Sequence, residues 1–116
     1  TQESSGIFRG KQDSALVEVA VITRKRQIWI EIRSKVVSSP SLDNKVLSYL
    51  LAQNHKLDVG SFSLDAQGNI WISYTLWGEA FHETEFKVAL RSIALSANHY
   101  DDLLAQHTGG KRAVDK

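Results

Sequence analysis

The sequence contains no cysteine, and that absence excludes disulfides, thiol nucleophiles, thiolate zinc sites and iron–sulfur clusters. It also fits a reducing compartment, so a cytoplasmic location is the expectation. Methionine is absent too, so Thr1 is not expected to be the translation start, and an initiator Met, a tag or a longer segment is expected to have preceded it. No apolar run approaches the roughly 20 residues that a membrane-spanning helix needs, and no secretory leader pattern is visible. Excess charge of either sign is also missing: 14 Lys and Arg stand against 13 Asp and Glu, for a net charge of +1. A protein devoted to the phosphate backbone of a nucleic acid carries a much larger basic surplus. The glycines form neither a P-loop nor a dinucleotide fingerprint, and the serines form no nucleophile elbow.

What is present suffices for one folded domain. The chain has 116 residues, of which 42% are hydrophobic, too many for a disordered chain. Residues 1–5 are polar and are expected to fray. Residues 6–10 read as a short strand between glycines. Residues 15–23 and 27–37 are rich in Val and Ile and read as two strands. Too few residues separate them for a parallel crossover, so they form an antiparallel hairpin with Arg24, Lys25 and Arg26 at its tip. Pro40 ends the second run, and Ser39 or Ser41 is placed to cap a helix. Leu42, Val46, Leu47, Leu50 and Leu51 recur at helical spacing, ending near Asn54 and His55. Residues 60–64 and 70–77 read as strands about a turn that contains Gly68.

The last helix carries the strongest signal, an apolar stripe of Phe86, Ala89, Leu90, Ile93, Ala97, Tyr100 and Leu104. With His82 as N-cap, Glu85 stands where a capping-box carboxylate belongs, and Phe81 and Phe86 occupy the positions of a hydrophobic staple. Thr108, Gly109 and Gly110 stop the helix. The order β-β-β-α-β-β-α makes the fold α+β, an antiparallel sheet of about five strands with helices packed on one face. Residues 1–110 form a single domain in this reading, and residues 111–116 a polar tail.

Alternation assigns the two faces of the sheet. Val17, Val19, Val21, Ile28, Ile30, Ile32, Ile70, Ile72, Tyr74 and Leu76 belong beneath the helices. The opposite face collects Trp29, Trp71 and Trp77, every tryptophan in the chain, with Leu16, Ala20 and Ile22 among charges. A solvated face has no need of three indoles, and tryptophan is enriched at binding hot spots. Trp29, Trp71, Trp77, Leu16 and Ile22 are therefore the candidate contact residues, whether the cover comes from the same polypeptide, a second copy or a partner protein. Burying three indoles rewards association, so a homodimer is expected, through this face or the outer side of the last helix.

The candidate chemistries are weaker. His82 with Glu85, and His99 with Asp102, offer paired ligands for a metal-dependent hydrolase. Seventeen residues separate the histidines, roughly 25 Å along one helix, too far for one ion to bridge. Asp101 and Asp102 read more simply as part of the helix's solvated face. No catalytic residue, metal or cofactor is assigned, and the chain reads as a non-enzymatic binding protein. The charge is uneven: +3 over residues 1–40, −4 over 41–110 and +2 over 111–116. The basic tip, with Arg33 and Lys35, suits RNA or an acidic protein. No aromatic–basic motif of an RNA-binding module accompanies it, and tip charges commonly serve solubility.

Four stretches carry a family resemblance. They are Val46-Leu47-Ser48-Tyr49-Leu50-Leu51-Ala52-Gln53-Asn54, Gly60-Ser61-Phe62-Ser63-Leu64-Asp65, residues 69–76, and Ala97-Asn98-His99-Tyr100-Asp101-Asp102-Leu103-Leu104. Over residues 41–110 the chain resembles the YbjN family, which has the type III secretion chaperone-like fold. The resemblance rests on a helix ending in LL-x-x-N, a hairpin, and a last helix ending in A-x-x-Y-D-D-x-L. It implies a helix before the first strand, which this sequence lacks and which is expected to be missing or to lie upstream. It implies no catalytic residues, a chaperone-like or regulatory role in binding a protein partner, and a homodimer. It also implies relatives among cyanobacterial proteins of unassigned role. Asn54 is expected to cap its helix, Tyr100 to pack in the core, and Asp101 and Asp102 to hold local hydrogen bonds or face solvent.

Overall fold

The two Val- and Ile-rich runs form the expected hairpin, β2 (Ala15–Arg24) and β3 (Gln27–Val37), with Val21 opposite Ile30 and Val19 opposite Ile32. Lys25 and Arg26 make the two-residue turn, and both take positive φ, 52° and 66°. Paired left-handed residues match the twist of a hairpin, although glycine or asparagine is the usual occupant. The computed structural model describes residues 3–12 and 14–114. Within them β1 (Glu3–Gln12) runs antiparallel to β2, longer than the short strand that the flanking glycines suggest. Residues 3–5, expected to fray, lie within it.

Beyond Pro40 the chain departs from the expected cap. Neither Ser39 nor Ser41 caps the next helix, α1 (Asn44–Lys56). Asp43 does, its carboxylate accepting the Val46 N–H at 2.9 Å. The Ser41 N–H is committed to the Thr108 carbonyl at 2.8 Å, and the helix begins three residues later, after an extended Asp43. A hairpin of β4 (Ser61–Leu64) and β5 (Ile70–Trp77) follows, and a single 3-10 turn leads into α2 (Glu83–Thr108). The staple at the start of α2 forms, with the Phe81 and Phe86 rings 5.5 Å apart. The capping box does not. His82 is the N-cap without a side-chain bond, and Glu85 accepts the Tyr74 hydroxyl at 3.3 Å instead. Gly109, at φ 72°, ends the helix.

The sheet order is β1-β2-β3-β5-β4, all antiparallel. α2 lies across β3 and its neighbours β2 and β5, and α1 lies against β4, both on one face. Ile32, Val36, Val37, Ile70, Ile72, Ile93, Ala97 and Leu104 form the buried centre between these layers. The A-x-x-Y-D-D-x-L stretch ties the end of α2 to three other elements. Tyr100 donates to Gln53 Oε1 of α1 at 2.8 Å. Asp101 is buried and accepts the Ser14 hydroxyl, while Asn98 accepts the Ser14 N–H at 3.0 Å. Asp102 pairs with Arg112 at 2.8 Å. Asp101 is thus part of an anchor for the turn between β1 and β2, not of the solvated helix face. Where a polar tail is expected, the Lys111 backbone exchanges two hydrogen bonds with Ser38, of 2.8 and 2.9 Å.

Candidate functional site

The sheet face away from the helices is built in rows. Ile22, Trp29 and Trp77 stand in register across β2, β3 and β5 near the hairpin tip. Trp71 stands opposite Lys35 at the other end, six residues from Trp77 and about 20 Å along the strand. A charged ladder fills the space between. Arg9 reaches Glu18 at 2.9 Å, and Arg33 reaches Glu18 and Glu31 at 3.0 Å each. Burial pushes the Glu18 carboxyl up, but the hydrogen bonds from Arg9 and Arg33, with the charges of both, outweigh it and hold it below its ordinary value.

The three indoles therefore do not form one apolar patch. Ile22 and Ala20, expected among the accessible residues of this face, are each only 1% exposed. Their cross-strand neighbours enclose them, Trp29 beside Ile22 and Ile7 and Glu31 beside Ala20. Alternation assigns a face but not what the neighbouring strands put over it. Trp29 is half-buried. Trp77 is the open indole, 45% exposed, its N–H donating to Gln27 Oε1 at 2.7 Å. Leu16 is also exposed and belongs to the Trp71 end.

Trp71 is fixed from both sides. Its N–H donates to Asp65 Oδ2 at 2.8 Å, and the Lys35 and Arg33 cations lie 5.3 and 5.7 Å from its ring centre. Asp65 also accepts the backbone N–H groups of Gln67 and Asn69, at 2.9 Å each. The Trp71 hydrogen bond first, then those from Asn69 and Gln67, overcome partial burial and lower the Asp65 pKa from 3.8 to about 2. A depressed folded-state pKa contributes stability above the unfolded value, and that contribution is lost as pH falls through the folded one. The Trp71 contribution to the fluorescence is expected to hold steady down to about pH 3 and to titrate with a midpoint near 2. In Asp65→Asn the acid transition disappears, whereas an unchanged transition would place its origin at another carboxylate.

The two edges of the sheet are unlike. At β4, Asn54 of α1 gives its amide to both main-chain groups of Phe62. Its Oδ1 accepts the Phe62 N–H at 2.6 Å and its Nδ2 donates to the Phe62 carbonyl at 3.2 Å. Asn54 was expected to cap its own helix. It closes a strand edge instead, and Leu57 ends α1 with its N–H on the Gln53 carbonyl at 3.0 Å. At the other edge, β1 has β2 on one side and, among the described residues, no strand on the other. Its Ile7 and Phe8 are exposed, Phe8 to 67%. A hollow of about 520 Å³ opens at the far end of β1, lined by residues that include Arg9, Lys11, Leu16, Lys35, Trp71 and Arg112.

The remaining candidates are not brought together. The tip residues Arg24, Lys25 and Arg26 are exposed, but Lys35 lies about 30 Å along β3 from them, so Arg33 and Lys35 belong to a different basic group. Among the described residues no three His, Asp or Glu side chains gather to hold a metal ion. His99 is packed edge-on against Tyr100, with ring centres 4.8 Å apart. His82 caps α2 by its backbone, while Glu85 and Asp102 are engaged with Tyr74 and Arg112. Sequence reasoning missed Arg9 and Lys11. Their spacing of two in an extended segment, repeated by Arg33 and Lys35, was the signal for a basic group on one sheet face.

A model of the family TY-Chap1, described as T3SS (YopN, CesT) and YbjN peptide-binding chaperone 1, matches residues 2–116. The match takes in the first hairpin, which the motifs in residues 41–110 do not reach. A solved structure titled "Crystal Structure of the ExsC-ExsE Complex" is similar to 95% of this chain over 79% of that one, with a TM-score of 0.65 and 15% identity, a likeness of fold. No curated protein matches the chain.

Proposed function

The chain belongs to the TY-Chap1 family of T3SS and YbjN peptide-binding chaperones, and from that premise we propose that it holds an extended segment of a partner polypeptide as an added strand along β1. The observation that carries this reading is the contrast between the two edges. Asn54 occupies both main-chain groups of Phe62 on the β4 edge, while among the described residues the 10-residue β1 ends the sheet with no strand beyond it. A long open edge presents a row of N–H and C=O groups that another chain can pair with. Ile7 and Phe8 give the added strand apolar contacts on the two faces. Among the described residues no constellation for catalysis accompanies the edge, and the reading is of a non-enzymatic, chaperone-like binder acting in the cytoplasm.

Amide hydrogen exchange tests the edge. A random decapeptide library is selected on the protein, and the retained peptides are added back singly. Alternate amides of β1 are expected to gain protection, as strand addition requires. Protection confined to α1 and α2 would place the peptide elsewhere and overturn the reading.

A homodimer goes with this reading. The outer side of α2 is the better of the two surfaces weighed for it. Val88 and Leu95, one heptad apart, are 55% and 53% exposed there, whereas Ile22 is enclosed and the charged ladder divides the tryptophans. Light scattering should give about twice the monomer mass of 13.0 kDa. Leu95→Glu should return the monomer by placing like charges across a two-fold axis. A wild-type monomer at high concentration would end the proposal.

A further inference from the structure

We infer that the hollow at the Gln12 end of β1 selects partner segments that carry a carboxylate side chain. The inference rests on the reading that β1 receives the partner and adds what that partner must contain. β1 projects Arg9 and Lys11 onto the outer face, opposite Glu18 and Leu16 of β2. β3 supplies Lys35, β5 supplies Trp71, and the segment after α2 supplies Arg112. Four cations therefore line the hollow against one carboxylate, Glu18, which already accepts Arg9 and Arg33.

The two lysines are the selective part. Among the described residues neither Lys11 nor Lys35 has a carboxylate within ion-pair distance. The Lys35 ammonium rests 5.3 Å above the Trp71 ring. That contact holds it in place electrostatically but supplies no oxygen to its N–H donors. Arg112 is pinned by Asp102 at 2.8 Å and acts as a wall. Leu16, 42% exposed, and the Trp71 edge provide an apolar floor for the methylene stem of a Glu or the Cβ of an Asp. A strand added to β1 runs directly past this opening, and alternate side chains of that strand turn toward the outer face. The charge complement is thus to an acidic peptide. A nucleic acid would need an open aromatic face to stack on, and both cations near Trp71 crowd the one available here.

Selection from a random decapeptide library tests the inference, with the wild type and the Lys11→Gln/Lys35→Gln double variant compared at low and high salt. The wild type should enrich Asp and Glu at one position, by roughly fivefold over their input frequency, the size of a solvent-accessible charge pair. The enrichment should fade in high salt and vanish in the double variant. The single variants Lys11→Gln and Lys35→Gln, with melting temperatures measured alongside, keep the comparison valid if the double variant is unstable. Selected peptides without acidic preference, or the same preference in wild type and variants, would overturn the inference while leaving strand addition at β1 intact. Retention of no peptide at all would overturn both. A 20-nucleotide RNA homopolymer that displaces the selected peptides and binds more tightly would assign the hollow to nucleic acid and likewise overturn it.

Discussion

Ile93→Ala is expected to destabilise the fold by about 2–5 kcal/mol, the range for emptying a buried isoleucine site. Ile93 lies at the middle of α2, fully buried against the sheet. Its neighbour across the layer is Gly60, at φ 83°, immediately before β4. A Cβ on Gly60 would stand 2.6 Å from Ile93 Cδ1 and 2.9 Å from the Ser73 carbonyl oxygen. Gly60→Ala is therefore destabilising by both backbone conformation and overpacking. The two substitutions should not add. Removing Ile93 Cδ1 frees the space that the new Cβ needs, while the contact with the Ser73 oxygen and the positive φ remain. Urea unfolding of the two single variants and the double variant should give a coupling of about 0.5–3 kcal/mol in the direction of relief. Strict additivity would show that the helix and the strand entry do not meet at this point.

Asn54→Ala should cost about 1–3 kcal/mol and open the β4 edge. The side chain satisfies the N–H and the carbonyl of Phe62 together, and a main-chain pair deprived of its partner in a partly buried setting loses that much. Asn54→Asp does not rescue it. A carboxylate still accepts the N–H but faces the carbonyl oxygen without a donor. The Phe62 amide should exchange faster in both variants, and assembly should become concentration-dependent as the freed edge finds a second chain. An unchanged Phe62 exchange rate would show that Asn54 does not protect this amide. The same experiment bears on peptide capture, because a second open edge should raise the number of peptides held per chain.

Much of this architecture was legible along the chain because its causes are local. Period-two alternation in residues 15–23 and 27–37 specified a hairpin, and the brief gap between them left no other connection. Phe81 and Phe86 announced the start of α2 because a staple depends only on spacing within one turn. The four motif stretches identified the fold, and their residues proved to be its fastenings: Asn54 on β4, Tyr100 on α1, Asp101 on the turn before β2 and Asp102 on Arg112.

What resisted reading is what depends on residues distant in sequence. Asp101 resembled a surface carboxylate until Ser14, 87 positions earlier, was brought beneath it. Ile22 and Ala20 were correctly assigned to a face, but only the packing of β1 and β3 beside them determined that they are enclosed. The basic hollow at Lys11 and Lys35 exists because β1, β3, β5 and the segment after α2 converge there. The sequence by itself determined the strands, the helices and the two faces of the sheet, because periodicity and local sterics act within a few residues. The tertiary structure decided which edge is closed, which indole is open and where cations gather, because each is set by contacts between elements that only the folded chain brings together.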